Sequence, residues 1–320
     1  MNTQIKLAII AIAIVIPLAS LAVTQTNSPS NNSTNENSKL QVVASATFLY
    51  EFSQNIGKEM IDVTLLVPMG ADPHDWEPTI RDTERLQKAD MIIVNGIGYE
   101  HWLNSLELSD IAGILVDTSN GISTLDSANH DEEKHDDHAK EDGHDDEDNH
   151  NHGVLDPHIW LNPVFAQLQV KNIANALSNS DPTNKNYYQS NAAIYNQKLN
   201  LLDTKIRTEL SGCKTDFITF HDAFSYFSEE YGLTQHTIIS STDSHGDVTP
   251  KTLEHIISLA RELNIKVIFA EENTSTKTSQ VIADEIGGKV LVLSPLEIVS
   301  DETYVEKMTQ NLNNLKDALC

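Results

Sequence analysis

The 320-residue chain has few of the residues on which several common protein classes depend. It contains two cysteines, so no zinc motif built from paired cysteines is available. Neither a His-Glu-x-x-His metalloprotease motif nor a Gly-x-Ser-x-Gly nucleophile motif occurs. Only 21 lysines and arginines accompany 47 aspartates and glutamates, which gives a net charge of -26. Because nucleic-acid phosphates require a basic surface, this composition argues against a nucleic-acid partner and suits a protein that attracts cations.

The N-terminal region predicts export. An apolar stretch covers residues 7–23 and follows Lys6, so residues 1–23 are expected to be a signal peptide or an N-terminal membrane anchor. Residues 24–39 are rich in Ser, Thr and Asn and are expected to form a flexible polar stalk. No cysteine lies near the end of the apolar stretch, so a bacterial lipoprotein anchor is not expected. We therefore expect an extracytoplasmic protein, periplasmic or at the cell surface, whose membrane association is through the N-terminal segment.

An acidic, histidine-rich segment covers residues 130–152. It holds six histidines and eleven aspartates or glutamates against two lysines. With almost no apolar side chains the segment has nothing to bury, so it is predicted to be a solvated loop. A plain acidic linker is the alternative, but the histidine content favours weak, rapidly exchanging contact with divalent cations.

Outside this loop, short β-rich runs alternate with amphipathic helices. This alternation predicts an α/β fold with two lobes, each a parallel sheet flanked by helices. Predicted strands cover residues 41–46, 63–67, 91–95, 114–116, 217–220, 237–240, 267–270 and 290–293.

A long helical pattern lies between the two groups of strands. Asp181 and Pro182 provide a helix start, apolar residues recur at helical spacing, and Ser211-Gly212 ends the run. The expected partition is an N-terminal lobe at 40–180, a rigid linker helix at 181–211 and a C-terminal lobe at 212–320. An ordinary long surface helix is the alternative.

The tripeptide Asp-Pro-His occurs twice, ending at His74 and at His158. Proline restricts its own backbone and that of the preceding residue, so each histidine lies on a stiff, non-helical segment. His221 follows the apolar run 217–220, where a strand is expected to end. Ligands collect at the carboxyl ends of strands in α/β folds, and three imidazoles suit zinc better than manganese or magnesium.

Three segments carry a resemblance to a known family. They are Val-Pro-Met-Gly-Ala-Asp-Pro-His-Asp-Trp-Glu-Pro at 67–78, Asp-Pro-His-Ile-Trp-Leu-Asn-Pro at 156–163 and Thr-Phe-His-Asp-Ala-Phe-Ser-Tyr-Phe at 219–227. These segments resemble the ligand segments of the zinc and manganese solute-binding proteins of ABC importers (cluster A-I). The resemblance implies that His74, His158 and His221 bind the metal and that an ABC permease and its ATPase are the partners. We expect such a protein to act as a monomer.

The resemblance leaves the fourth ligand open. Ser294 stands where many members of the family carry an aspartate, and the segment continues through Pro295 and Leu296 to Glu297. A zinc-binding subgroup with the same Ser-Pro-Leu-Glu ending uses that glutamate, which implies Glu297 here. Glu271, Glu272 and a water molecule are the alternatives. The expected ion is Zn²⁺, with Mn²⁺ as the alternative.

Cys213 and Cys320 are the only possible pair, and an exported protein favours a disulfide over a pair of zinc-binding thiolates.

The favoured function is capture of zinc and its delivery to an importer, without enzymatic activity. The alternatives are a manganese or other divalent-metal binding protein and a surface adhesin or zinc buffer of the same family. A zinc hydrolase, which needs an open coordination position, is the rival from another class.

Overall fold

A computed structural model describes residues 39–68, 71, 73, 75–106, 111–125, 155–239, 248–272 and 276–320. The predictions for the N-terminal segment and stalk before Lys39, for His74 and for the acidic loop at 130–152 lie outside the described residues.

The first half of the chain forms a parallel sheet with the strand order β2-β1-β3-β4. The central strand β3 is buried along its whole length, as expected for a strand covered on both faces. Thr79 and Asp82 form a capping box that starts the second helix. The elements are β1 (Leu40–Ala44), α1 (Thr47–Gly57), β2 (Ile61–Leu65), α2 (Ile80–Lys88), β3 (Met91–Val94) and β4 (Ile114–Asp117).

The second half repeats this arrangement, with the strand order β6-β5-β7-β8 and parallel pairing throughout. Its elements are β5 (Asp216–Thr219), α5 (Ser225–Tyr231), β6 (Thr234–Thr237), α6 (Pro250–Glu262), β7 (Val267–Ala270), α7 (Lys277–Ile286), β8 (Lys289–Val292) and α8 (Tyr304–Leu319). The predicted fold class, two parallel sheets flanked by helices, is confirmed.

Two helices connect the sheets: α3 (Pro163–Ser180) and the long α4 (Lys185–Leu210). Asn162 starts α3 by accepting a hydrogen bond from the backbone nitrogen of Val164 at 2.8 Å. The long helix begins later than the predicted start at Asp181. Asp181 instead caps a separate 3₁₀ turn, Pro182–Asn184, by accepting a hydrogen bond from the backbone nitrogen of Asn184.

One hydrophobic core runs through both halves by way of α4. Tyr195 of α4 packs on Phe52 of α1 at 5.6 Å between ring centroids, while Leu210 of the same helix belongs to the core that contains Phe217 and Leu315. Residues 39–320 form one unit by their contacts. The partition at 180 and 211 stays a prediction. Within the described part of the chain, no helix combines the length and apolar character needed to cross a bilayer.

The position of β6 differs from the predicted strand at 237–240, because the structure has it at Thr234–Thr237. Gly232 ends α5 in the left-handed conformation, which turns the chain immediately into the pairing of Thr234 with Asp216. Ile238 and Ile239 are buried beyond the strand end. These two isoleucines are apolar because they pack in the core, not because they belong to the strand. The apolar pattern therefore placed the predicted strand too late in the sequence.

A disulfide joins Cys213, which follows α4, to Cys320, which follows α8, with 4.7 Å between the Cα atoms. The favoured cysteine pairing is therefore confirmed. The bond closes a loop with a sequence separation of 107 residues and fastens the last helix to the start of the second sheet.

Removing this disulfide is expected to destabilise the fold. Closing a loop of this length restricts the unfolded chain, so replacing both cysteines by serine should lower the free energy of unfolding by roughly 2–4 kcal/mol. Chemical denaturation under non-reducing conditions measures the difference. Reductant should bring the parent protein to the stability of the serine variant and leave the variant unchanged. Equal stability of the two oxidised proteins would contradict the expectation.

Candidate metal centre

Two of the predicted histidines meet in the described part of the structure. His221 follows β5 by two residues, and His158 precedes the short 3₁₀ turn Ile159–Leu161 that leads into α3. Both side chains are fully buried. Their Nε2 atoms lie 3.4 Å apart. The chain thus brings together histidines that are 63 residues apart in the sequence.

The Nδ1 atom of each imidazole, on the side of the ring away from the other histidine, is hydrogen-bonded to a carboxylate. Asp156 Oδ1 lies 2.7 Å from His158 Nδ1 and also accepts a hydrogen bond from the backbone nitrogen of His158 at 2.9 Å. Glu271 Oε1 lies 2.6 Å from His221 Nδ1 and accepts from the backbone nitrogen of His221 at 3.1 Å. An ionised carboxylate only accepts hydrogen bonds, so each Nδ1 atom carries a proton and donates it to the carboxylate, and each Nε2 atom is directed to the shared centre.

Glu297 supplies an oxygen to the same centre. Its Oε1 atom lies 3.4 Å from His158 Nε2, and ligand atoms of His158, His221 and Glu297 all lie within 4.8 Å of one another. Ligand atoms about 2.0–2.1 Å from a tetrahedral zinc ion are about 3.3–3.4 Å apart. The two measured 3.4 Å separations therefore fit tetrahedral coordination of a small divalent ion. His74, the remaining predicted ligand, lies outside the described residues.

Glu271 and Glu272, the alternatives to Glu297 as fourth ligand, have other partners. Glu271 orients His221. Glu272 accepts two hydrogen bonds from the buried Lys307, at 3.0 and 2.7 Å, and one from Ser294 Oγ at 2.8 Å. Ser294 therefore hydrogen-bonds to a carboxylate whose charge is compensated by Lys307.

Two carboxylates, those of Asp156 and Glu297, lie beside the His158 ring. Burial by itself favours the neutral ring and lowers the pKa of His158. The negative charges and hydrogen bonds of Asp156 and Glu297 outweigh burial and raise that pKa to about 10. A bound cation competes with this proton, because a metal ligand must offer a neutral imidazole nitrogen.

Sequence reasoning missed part of the support around these histidines. Tyr226 donates a hydrogen bond from its hydroxyl to the carbonyl of Asp156 at 2.7 Å, and Asn95 donates to the carbonyl of Pro157 at 2.9 Å. The orienting role of Glu271 was also missed. Its position directly after β7 was the available signal, because the carboxyl ends of β5 and β7 are adjacent in the sheet.

Comparisons with known proteins match most of the chain. The sequence pattern of the family described as zinc-uptake complex component A, periplasmic, matches residues 42–318. The high-affinity zinc uptake system protein ZnuA of Bacillus subtilis (strain 168) is 42% identical over 290 residues, covering 88% of each chain.

Solved structures are similar over most of the chain. The metal-dependent lipoprotein YcdH of Bacillus subtilis has a TM-score of 0.73 and 37% identity, covering 88% of this chain and 99% of that one. The laminin-binding protein Lmb of Streptococcus agalactiae, described as bifunctional with adhesin and metal-transporting activity, has a TM-score of 0.75. It is 26% identical and covers 88% of this chain and 99% of its own.

The raised pKa of His158 predicts that zinc binding releases protons. At pH 7.5 the metal-free site holds a proton on His158 that zinc must displace, so about one proton should be released from this residue. Apparent zinc affinity should therefore fall as the pH is lowered. Calorimetry in buffers of different ionisation enthalpy counts the protons.

Asp156→Asn provides the control, because the amide oxygen still accepts the Nδ1 hydrogen bond while the negative charge is gone. The pKa of His158 should then fall, and fewer protons should be released at the same pH. A parent protein that releases no proton, or whose zinc affinity is the same at pH 7.5 and pH 5, would show that His158 is not a ligand.

Proposed function

The chain belongs to the zinc-uptake complex component A family, and from this premise we propose that it captures zinc outside the membrane and delivers it to an ABC importer. The observation that carries the proposal is the convergence of two buried imidazoles and one carboxylate. His158 Nε2 lies 3.4 Å from both His221 Nε2 and Glu297 Oε1, which is the separation expected between two ligands of a tetrahedral zinc ion. His158, His221 and Glu297 are the proposed ligands, and the family resemblance adds His74. Zinc is the cargo of this site.

The donor chemistry supports zinc over manganese. Imidazole nitrogen binds Zn²⁺ more strongly than Mn²⁺, in keeping with the Irving–Williams order, whereas manganese favours carboxylate and carbonyl oxygens. Lys307 pairs with Glu272 and Glu271 is engaged by His221, so Glu297 is the carboxylate proposed to coordinate. Manganese is the alternative ion.

Binding without catalysis is the proposed role. The family is a component of transport complexes, and four protein ligands would leave a tetrahedral zinc ion with no position for an activated water. A hydrolase would also need a general base beside that water. Glu271, which lies next to the site, instead accepts hydrogen bonds from His221.

The partners and the location complete the proposal. The family description names a periplasmic component, and the name of one similar structure describes a metal-dependent lipoprotein, which supports an extracytoplasmic site of action. We propose that residues 1–23 direct export and that the protein acts as a monomer with a membrane permease and its ATPase. Residues 130–152 would supply weak additional cation sites.

Surface adhesion is a second candidate role, favoured by the similarity to Lmb. Adhesion and zinc capture are separable by experiment. The purified protein is applied to immobilised laminin with and without bound zinc, beside a His158→Ala variant. Laminin binding that survives loss of the metal would support adhesion as an independent activity, and no binding in any state would exclude it for laminin.

Metal selectivity tests the proposed cargo. Zinc should bind at one tight equivalent, because hydrogen bonds from His158 to Asp156 and from His221 to Glu271 hold the buried imidazoles in place. Further weak equivalents should disappear when residues 130–152 are deleted. Manganese should bind more weakly than zinc in both proteins. Calorimetry and metal analysis of the intact and deleted proteins give the stoichiometry. Tighter binding of manganese than of zinc would contradict the ligand assignment.

Substitution of Glu297 tests the proposed fourth ligand. Glu297→Ala should weaken zinc binding by at least about 10–100-fold while leaving it measurable, and His158→Ala should be more damaging. Competition with a chelator of known affinity measures both. Glu272→Gln is the matched control, because it keeps an oxygen toward Lys307 and should change zinc affinity little. If Glu272→Gln weakens binding and Glu297→Ala does not, the assignment moves to Glu272.

A further inference from the structure

The loop that carries Glu297 is fastened by hydrogen bonds from the other half of the chain. Trp160 Nε1 donates to the carbonyl of Pro295 at 2.8 Å, and Thr47 Oγ1 donates to the carbonyl of Leu296 at 2.9 Å. These are consecutive carbonyls directly before Glu297. Thr47 begins α1 and Trp160 lies in the turn before α3, so both donors precede the long helix in the sequence.

The same loop is also fastened to its own half. Asn311 of α8 accepts a hydrogen bond from the backbone nitrogen of Ser294 at 2.8 Å and donates to its carbonyl at 2.7 Å. The backbone nitrogen of Leu296 donates to Ser294 Oγ at 3.2 Å. These contacts fix the start of the loop, whereas Thr47 and Trp160 act at the two peptide groups nearest Glu297.

Leu296 has a left-handed backbone, with φ at +62°. This conformation is unfavourable for a leucine and persists only where the surroundings impose it. The Leu296 side chain is buried, its nitrogen is bound by Ser294 and its carbonyl by Thr47. The turn that directs Glu297 toward the histidines therefore depends on contacts from both halves of the chain.

Trp160 is itself held rigidly. It is fully buried, stacks on Phe48 with ring centroids 4.4 Å apart and an interplanar angle of 14°, and meets the edge of Tyr99 at 5.0 Å. Its carbonyl accepts a hydrogen bond from Tyr304 at 2.6 Å. Trp160 also follows His158 by two residues, with their rings 5.1 Å apart. One short segment thus carries a proposed metal ligand and the anchor of the Glu297 loop.

We propose that Trp160 and Thr47 are positioning residues that bring the Glu297 carboxylate within coordinating distance of zinc. Coordination by Glu297 then depends on contact between the two halves of the chain. Zinc affinity should therefore depend on the hydrogen bonds from Trp160 and Thr47 to the loop that carries Glu297. This inference rests on the proposed function. The competing explanation is that Trp160 and Thr47 only stabilise the fold.

A double-mutant cycle separates the two explanations. Trp160→Phe keeps an aromatic ring against Phe48 and removes the indole N–H. Zinc affinity in the otherwise unchanged protein should fall by about 10–100-fold, as is typical when a residue that orients a ligand is replaced. In the Glu297→Ala background the same substitution should change zinc affinity by less than about twofold, because the ligand that it positions is absent.

The free energy of unfolding, measured on the metal-free variants, serves as the second readout. A purely structural role lowers stability and zinc affinity alike in both backgrounds. An effect of Trp160→Phe on zinc affinity that is equal with and without Glu297 overturns the proposal, and so does no effect in the parent.

Thr47 provides a test outside the aromatic core. Thr47→Val has nearly the same shape and removes the donor, whereas Thr47→Ser retains it. Thr47→Val should weaken zinc binding only when Glu297 is present, and Thr47→Ser should bind zinc like the parent. Equal affinities of the valine and serine variants overturn the role of Thr47.

The controls distinguish failure of this inference from failure of the proposed function. A parent that binds no zinc, or a His158→Ala variant that binds like the parent, overturns both. A different result overturns the positioning role alone. In that case the parent binds zinc, Glu297→Ala weakens the binding, and Trp160→Phe lowers zinc affinity by the same factor with and without Glu297.

Discussion

Asp156 and Glu271 each accept a hydrogen bond from the Nδ1 atom of a fully buried histidine, at 2.7 and 2.6 Å. Without that bond a buried imidazole N–H would lose its hydration and gain no partner in return. The same bond decides which nitrogen is directed to the centre of the site. The spacing of the two Nε2 atoms, and hence the fit to a zinc ion, depends on these two carboxylates.

The carboxylates also set the electrostatic behaviour of the site. Asp156 and Glu297 act on His158 from opposite sides and raise its pKa despite burial. The metal-free protein therefore holds a proton where the ion would lie. Exchange of this proton for the doubly charged ion leaves positive charge beside the buried carboxylates in both states, which offsets part of the cost of having negative groups in a site shielded from water.

Arrangement of the site depends on how the two sheets are joined. His221 and Glu297 follow strands of the second sheet, while His158 precedes α3, which packs against α1 and β4 of the first half. The long helix α4 shares one hydrophobic core with both halves, and the Trp160 and Thr47 hydrogen bonds cross between them close to Glu297. A rigid core and a short polar contact thus act together to align ligands from distant parts of the chain. Lys307 instead keeps a carboxylate away from the site, because it holds Glu272 in an ion pair.

Local sequence determined much of this protein. Strand–helix alternation predicted the two parallel sheets, since backbone periodicity and capping are properties of neighbouring residues. The repeated Asp-Pro-His tripeptide and the position of His221 after a strand identified two of the side chains that meet, and the family resemblance of the Ser-Pro-Leu-Glu segment implied Glu297. His74 stays a prediction. The identity of the cysteine pair also followed from the sequence, because only one pair exists.

Only the tertiary structure decided the rest. Glu271 and Glu272 are adjacent and chemically identical, yet one orients His221 and the other pairs with Lys307, because they meet different neighbours. The true position of β6 and the contact of Trp160 with Pro295 likewise depend on residues far away in the chain. Propensity and spacing describe what a residue favours locally. Which carboxylate meets which cation or imidazole is set by long-range packing, since the energies of such contacts exist only when the chain is folded.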